Sequence, residues 1–92
     1  MRVLVAVPAL NEAAVIGQVL ASLSAVHPLR DVVIIDDGSR DATAQIARRA
    51  GARVVSHPIN LGVGAAMGTA FKYAVREGYD VILAKDGVDA MR

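Results

Sequence analysis

Asp36 and Asp37 stand side by side, directly after Val32-Val33-Ile34-Ile35 and directly before Gly38-Ser39-Arg40-Asp41. Four consecutive β-branched residues predict a strand buried on both faces, and the acidic, glycine-containing run behind them predicts a tight turn at its carboxyl end. Two carboxylates are therefore expected at the rim of a sheet, where open α/β sheets bind their ligands. A carboxylate there can accept a nucleobase imide N–H or hold a divalent cation, while helix N-termini beside it favour phosphate. The same pair also has a structural use, in which one carboxylate satisfies turn amides and the other is solvated.

Three more stretches are expected at that rim: Pro8-Ala9-Leu10-Asn11-Glu12, Asn60-Leu61-Gly62-Val63-Gly64, and Asp86-Gly87-Val88-Asp89. For Asn11, capping of the following helix and contact with a ligand are equally good uses, and Glu12 at a helix start is favoured by the helix dipole alone. Ser39 and Asp41 read as helix caps, with Asp41 at the N-cap of the second helix. Gly62, Gly64 and Gly68 form G-x-G-x-x-x-G, whereas a dinucleotide fingerprint belongs in the first βα turn and has a shorter last interval. Close packing of an Ala/Gly-rich helix on the sheet accounts for Gly68. His27 and His57 read as loop or strand-end residues, and Lys72, Arg76, Arg48 and Arg49 as solvated helix faces.

The elements that must position these residues follow from periodicity. Strands are expected at Arg2–Val7, which Pro8 should end, and at Asp31–Ile35, Arg53–Ser56 and Asp80–Ala84. Val15, Ile16, Val19, Leu20 and Leu23 recur at helical spacing, predicting a first helix to about Ser24 with Asn11 available as its N-cap. A second helix is expected over Ala42–Ala50, with Ile46, Ala47 and Ala50 inward and Gly51 at its C′ position. A third should open at Asn60–Gly64 and run to about Glu77, capped by Gly78. The order β-α-β-α-β-α-β implies right-handed crossovers and a Rossmann-like parallel sheet with helices on both faces.

Composition agrees with that class. The 92 residues suffice for one domain, and 54% hydrophobic with only 3% aromatic residues means a core of Val, Ile, Leu and Ala. Ten basic against nine acidic residues, dispersed along the chain, call for no nucleic-acid partner. The absence of cysteine excludes disulfides, zinc–thiolate sites and thiol nucleophiles. The apolar run Val3–Leu10 is too short for a signal peptide, and Ala13–Leu29 and Ser56–Phe71 are too polar to span a membrane. A cytoplasmic location without a membrane segment is the expectation.

Pro8-x-x-Asn11-Glu12, Ile35-Asp36-Asp37-Gly38-Ser39-x-Asp41-x-Thr43 and Asn60-x-Gly62-x-Gly64-x-Ala66, in this order and spacing, resemble the inverting family 2 glycosyltransferases of GT-A fold. The likeness is greatest to the branch that includes dolichyl-phosphate mannosyltransferase. It implies that Pro8, Ala9, Leu10, Asn11 and Glu12, together with Asp37 and the adjoining Asp36 and Gly38, hold the base and ribose of a nucleotide-sugar. It places Asn60 and Gly62 near the nucleotide and sugar. It further implies an Asp-x-Asp motif that binds Mg²⁺ or Mn²⁺ on the diphosphate. Here the corresponding run is Asp86-Gly87-Val88-Asp89, one residue longer between its carboxylates, with Asp86 aligned to the first.

The resemblance thus implies a UDP- or GDP-sugar donor and an acceptor such as a polyprenyl phosphate. It makes residues 1–92 a nucleotide-sugar-binding half-domain, because the half that recognises the acceptor and supplies a general base is not represented. Two other readings stand beside it. One is a Rossmann-like dinucleotide module with Asp36 accepting from a ribose 2′-hydroxyl, although Pro8 and Leu10 stand where its glycines belong. The other is a non-catalytic remnant that forms homo-oligomers through an exposed sheet edge.

Overall fold

Val32, Val33, Ile34 and Ile35 are completely buried, because their strand lies inside the sheet and is covered on both faces. The computed structural model describes residues 1–85. Its elements are β1 (Val3–Ala9), α1 (Ala13–Ser24), a single 3₁₀ turn (Leu29–Asp31), β2 (Val32–Asp36), α2 (Thr43–Ala50), β3 (Arg53–Ser56), α3 (Val63–Arg76) and β4 (Val81–Ala84). All four strands are parallel, in the order β3-β2-β1-β4. Right-handed crossovers step from β1 to β3 in one direction and place α1 and α2 on one face. The return from β3 across to β4 places α3 on the other.

The alternation of side chains along β1 and β2 divides the core between those faces. Val5, Val7, Val32 and Ile34 pack with Ile16, Val19, Leu20 and Leu23 of α1 and Ala47 of α2. Leu4, Ala6, Val33 and Ile35 pack with Ala66, Ala70, Tyr73 and Ala74 of α3. Burial of each large aliphatic side chain contributes roughly 1.5–3 kcal/mol. The two central strands, buried on both sides, therefore anchor the domain. On β4 the side facing away from α3 is less covered, and Val81 and Leu83 remain exposed. No helix among the described residues is long and apolar enough to cross a membrane.

Three expectations are corrected. Pro8 lies within β1, in register with Ile35, instead of ending the strand. The reason is directional: the Ala6 carbonyl faces β4, where it accepts the Lys85 N–H, so the nitrogen of residue 8 faces the same side. Among the described residues the β1–β4 pairing ends at Ala6, so proline at position 8 interrupts no bond made before it and only denies the seam the next one. Ala50 is exposed, and Thr43 takes its place with Ala47 on the buried side of α2. Gly68 is also exposed, and a Cβ on it would meet nothing within 4 Å, so helix packing does not require it. The alanines at 66, 70 and 74 make the close approach of α3 to the sheet.

The end of the sheet opposite the rim is tied by Arg2. Its backbone N–H donates to Asp80 Oδ2 (2.8 Å) and its guanidinium to the Glu77 carbonyl (2.6 Å), while lying 4.3 Å from the centre of the Tyr79 ring. Tyr79 O–H donates to Asp31 Oδ1 at 2.7 Å. Burial, followed by the hydrogen bond and charge of Asp31, pushes the Tyr79 phenol up to about 12.

Candidate functional site

The loops after β1, β2 and β3 meet at the carboxyl edge of the sheet, and the second loop fastens the first. Three successive backbone N–H groups of the first loop donate to three side chains of the second. Asn11 N–H reaches Ser39 Oγ (2.8 Å), Glu12 N–H reaches Thr43 Oγ1 (2.9 Å), and Ala13 N–H reaches Asp41 Oδ2 (3.1 Å). The Arg40 N–H returns a bond to Asn11 Oδ1 at 2.8 Å. Asn11 adopts a left-handed backbone, φ 53°, which asparagine tolerates better than most residues.

These bonds reassign two expected caps. Asn11 does not cap α1, whose N-cap is Glu12; its carboxamide serves Arg40. The N-cap of α2 is Ala42, and Asp41 spans both helices, accepting the Thr43 N–H at 3.0 Å and the Thr43 hydroxyl with one oxygen and the Ala13 N–H with the other. The hydroxyl bond from Thr43, with these amides, holds the Asp41 carboxyl below its ordinary range despite some desolvation.

The second loop also fastens the third. Asp36 accepts the Ser39 N–H with Oδ1 and the Ser56 hydroxyl with Oδ2, both at 3.0 Å. Asp37 Oδ1 accepts from His57 Nδ1 (2.8 Å) and the Leu61 N–H (2.9 Å), and its Oδ2 accepts the Gly62 N–H (2.8 Å). Neither carboxylate is solvated: both are buried, and both act within the turn. Burial by itself would raise the Asp37 carboxyl, but the bonds from His57, Leu61 and Gly62 outweigh it and hold the group below its ordinary value. Gly38, at φ 81°, lets the turn lie flat on the next loop, since a Cβ there would stand 2.5 Å from the Ile59 carbonyl carbon. Gly62 sits at φ 97°, ψ 165° as the N-cap of α3, a region that only glycine occupies comfortably.

His57 escaped the sequence reading. A carboxylate only accepts, so Nδ1 carries the proton, and in the neutral ring Nε2 accepts from the Thr69 hydroxyl at 2.7 Å. The available signal was register: Asp36 pairs with Ser56, which puts the next residue of β3 beside the next residue of β2.

The structure thus gathers Pro8 to Glu12, Asp36 to Gly38, Asn60 and Gly62 around one rim. Asn60 and Leu10 are exposed there, and a Cβ on Gly64 would meet nothing within 4 Å, so the first turn of α3 is open to approach. Its leading N–H groups have no partner within the helix. The strand order reverses at β1, so the crevice between the carboxyl ends of β1 and β4 is the topological switch point, where ligands of such sheets bind.

A sequence model of glycosyl transferase family 2 matches residues 4–90. The chain belongs to this family. Among relatives of this family 2 chain, an uncharacterised protein of Methanocaldococcus jannaschii is 38% identical over 85 residues, covering 92% of the chain and 35% of that protein. The undecaprenyl-phosphate mannosyltransferase of Micrococcus luteus is 32% identical over 91 residues, covering 94% and 37%. In structure the family 2 chain is similar to a Pyrobaculum calidifontis mannosyltransferase in complex with GDP-Man and Mn²⁺, with a TM-score of 0.71 and 30% identity, over 79% of the chain and 24% of that protein. It is equally similar to glucosyl-3-phosphoglycerate synthase of Mycobacterium tuberculosis in complex with UDP, with a TM-score of 0.70 and 30% identity, over 92% and 34%. The chain therefore spans about a third of the length of the curated relatives it matches.

Two features of the family 2 rim bear on its ligands. Among the described residues no group of three or more His, Asp or Glu side chains is placed to hold a metal ion, and the expected ligands Asp86 and Asp89 lie outside the described residues. Asp36 is already bonded to Ser39 and Ser56, which counts against its accepting from a ribose hydroxyl in a dinucleotide. A groove of about 190 Å³ between α3 and β4, lined by Phe71, Val75, Tyr79 and Val81, lies at the start of β4 and away from the rim.

Proposed function

We propose that residues 1–92 form the nucleotide-sugar-binding part of a glycosyltransferase that takes a UDP- or GDP-sugar and passes the sugar to an acceptor of the polyprenyl-phosphate class. The observation that carries this reading is the rim itself, where one turn after β2 holds both neighbouring loops in place through Ser39, Asp41, Thr43 and Asp37. Family membership makes a nucleotide-sugar the natural occupant, and relatives named for GDP-Man, UDP and undecaprenyl phosphate support donor and acceptor class.

In this reading the base and ribose rest against Pro8, Ala9, Leu10, Asn11 and Glu12, and the phosphates and sugar extend towards Asn60, Gly62 and the first turn of α3. Asp36, Asp37 and Gly38 act chiefly by holding those two walls in register. Asp86 and Asp89 are the carboxylates proposed to hold a divalent cation, Mg²⁺ or Mn²⁺, which when bound would neutralise charge on the diphosphate leaving group. An acceptor phosphate oxygen attacks the anomeric carbon as the bond to the nucleoside diphosphate breaks, and such an oxygen, already ionised, needs little help from a base. The α3 dipole and its open N–H groups favour the charge that gathers on the departing diphosphate.

Calorimetric titration of the 92-residue chain with UDP, GDP and NAD, with and without Mn²⁺, tests the reading. Binding of one nucleoside diphosphate, weakened in Asp37→Ala, is the expected result. Tight metal-independent binding of NAD, or binding of neither UDP nor GDP, would overturn it.

A further inference from the structure

We infer that His57 is the positioning residue of this rim, the side chain that sets where the amino end of α3 stands; its consequence for binding rests on the nucleotide-sugar reading above. The ring is one-tenth exposed, and both of its nitrogens are engaged, by Asp37 on one side and Thr69 on the other. It therefore joins the turn after β2 to a residue nearly two turns into α3. The backbone prepares this: His57 N–H donates to the Asp36 carbonyl at 2.8 Å, which continues the β2–β3 ladder by one residue and brings the ring opposite Asp37.

The effect passes through Asp37. With the His57 bond in place, the carboxylate is held so that Oδ1 faces Leu61 N–H and Oδ2 faces Gly62 N–H. Without it, Oδ1 keeps only Leu61, and the carboxylate loses the one contact that ties its orientation to the body of α3. A residue that merely filled space would need no donor at Nδ1 and no partner at Nε2. Here a lost ring would leave the buried Asp37 carboxylate and the half-buried Thr69 hydroxyl short of a partner together. Because binding geometry is sensitive to displacements near 1 Å, a released α3 start is expected to weaken nucleotide binding by roughly ten- to a hundredfold.

The test uses the 92-residue chain and its variants His57→Ala, His57→Asn and Thr69→Val. Each is titrated with UDP and GDP in the presence of Mn²⁺, and amide hydrogen exchange at Leu61 and Gly62 is followed by NMR without nucleotide. Alanine should weaken binding and speed exchange at these two amides relative to the β1 and β2 core. Asparagine, whose side-chain N–H₂ can stand where Nδ1 stood, should restore most of both, and Thr69→Val should fall between. A folded His57→Ala variant with unchanged affinity and unchanged exchange would overturn the inference. So would equal damage from alanine and asparagine accompanied by faster exchange throughout the core, which is the pattern of a general structural role. If the unmodified chain binds no nucleotide, the functional reading fails, and the exchange pattern alone decides the role of His57. If His57→Ala does not fold, the other two variants decide: wild-type exchange in Thr69→Val, or no retention in His57→Asn, overturns it.

Discussion

Replacing Gly38 by alanine should cost more than replacing Gly62, although both glycines have positive φ. At Gly38, φ 81° carries a conformational cost of roughly 1–2 kcal/mol for a residue with a β-carbon. The new Cβ would also lie 2.5 Å from the Ile59 carbonyl carbon, 2.6 Å from the Asn60 nitrogen and 2.9 Å from the Ile59 oxygen. Those atoms are backbone and cannot swing aside, so the third loop must retreat by nearly an ångström, an overpacking cost of about 1–3 kcal/mol. At Gly62, φ 97°, a Cβ would meet nothing within 4 Å, and the conformational cost of about 1–3 kcal/mol stands alone. Taken at mid-range, about 3.5 kcal/mol at Gly38 against about 2 kcal/mol at Gly62, the collision should make Gly38→Ala the more destabilising by roughly 1.5 kcal/mol, a noticeable part of a total stability of about 5–15 kcal/mol. Urea unfolding followed by circular dichroism measures both variants. The larger loss at Gly38 should come with faster amide exchange at Leu61 and Gly62, as the retreating loop draws these N–H groups off Asp37. Equal losses, or a larger loss at Gly62, would refute the close seating of the turn on the Ile59–Asn60 peptide.

Other consequences can be measured on the same material. Thr43→Val keeps the shape of a completely buried residue but removes the hydroxyl between Asp41 and the Glu12 N–H, and urea unfolding should show a loss of about 1–3 kcal/mol. Asp37 and Asp41 both have carboxyls held below the ordinary 3.8, so the stability they contribute is complete above that value and disappears as pH falls through their folded pKa values. Asp37→Asn should accordingly flatten the acid limb of a stability-against-pH curve below about pH 4, and an unchanged limb would count against the Asp37 network. Tyr79 has the opposite sign: raised from 10.0 to about 12, its contribution is complete below pH 10 and lost as pH climbs towards 12. Phenolate absorbance during alkaline titration should show this late ionisation, and Asp31→Asn should bring it earlier.

The strands and helices were legible because local pattern and tertiary position agree here. Val32 to Ile35 could only be a strand covered on both faces, and Ile16, Val19, Leu20 and Leu23 could only face a sheet. What escaped depended on partners distant in sequence. Nothing local distinguishes Ser39, Asp41 and Thr43 as caps of their own helix from Ser39, Asp41 and Thr43 as anchors for Asn11, Glu12 and Ala13. The three internal donors of Asp37 escaped as well, because His57, Leu61 and Gly62 stand 20, 24 and 25 residues further along the chain. His57 read as a strand end, which it is, while its bonds depended on strand register. Ala50 was misplaced because a helix of two turns leaves its last residue's facing to the chain beyond it, and Pro8 because strand register decides which neighbour its nitrogen faces.

That proline also governs how far two strands can close. Continuing the parallel ladder beyond Ala6 would require residue 8 to donate its N–H to the carbonyl of Lys85, the residue whose own N–H reaches Ala6. Proline has no hydrogen to give. Among the described residues the seam between β1 and β4 thus ends at the point where the strand order reverses, and it is the missing hydrogen of Pro8 that denies it the next bond. An alanine at the same position would restore a donor facing the Lys85 carbonyl and let the seam run about one residue further, roughly 3.3 Å.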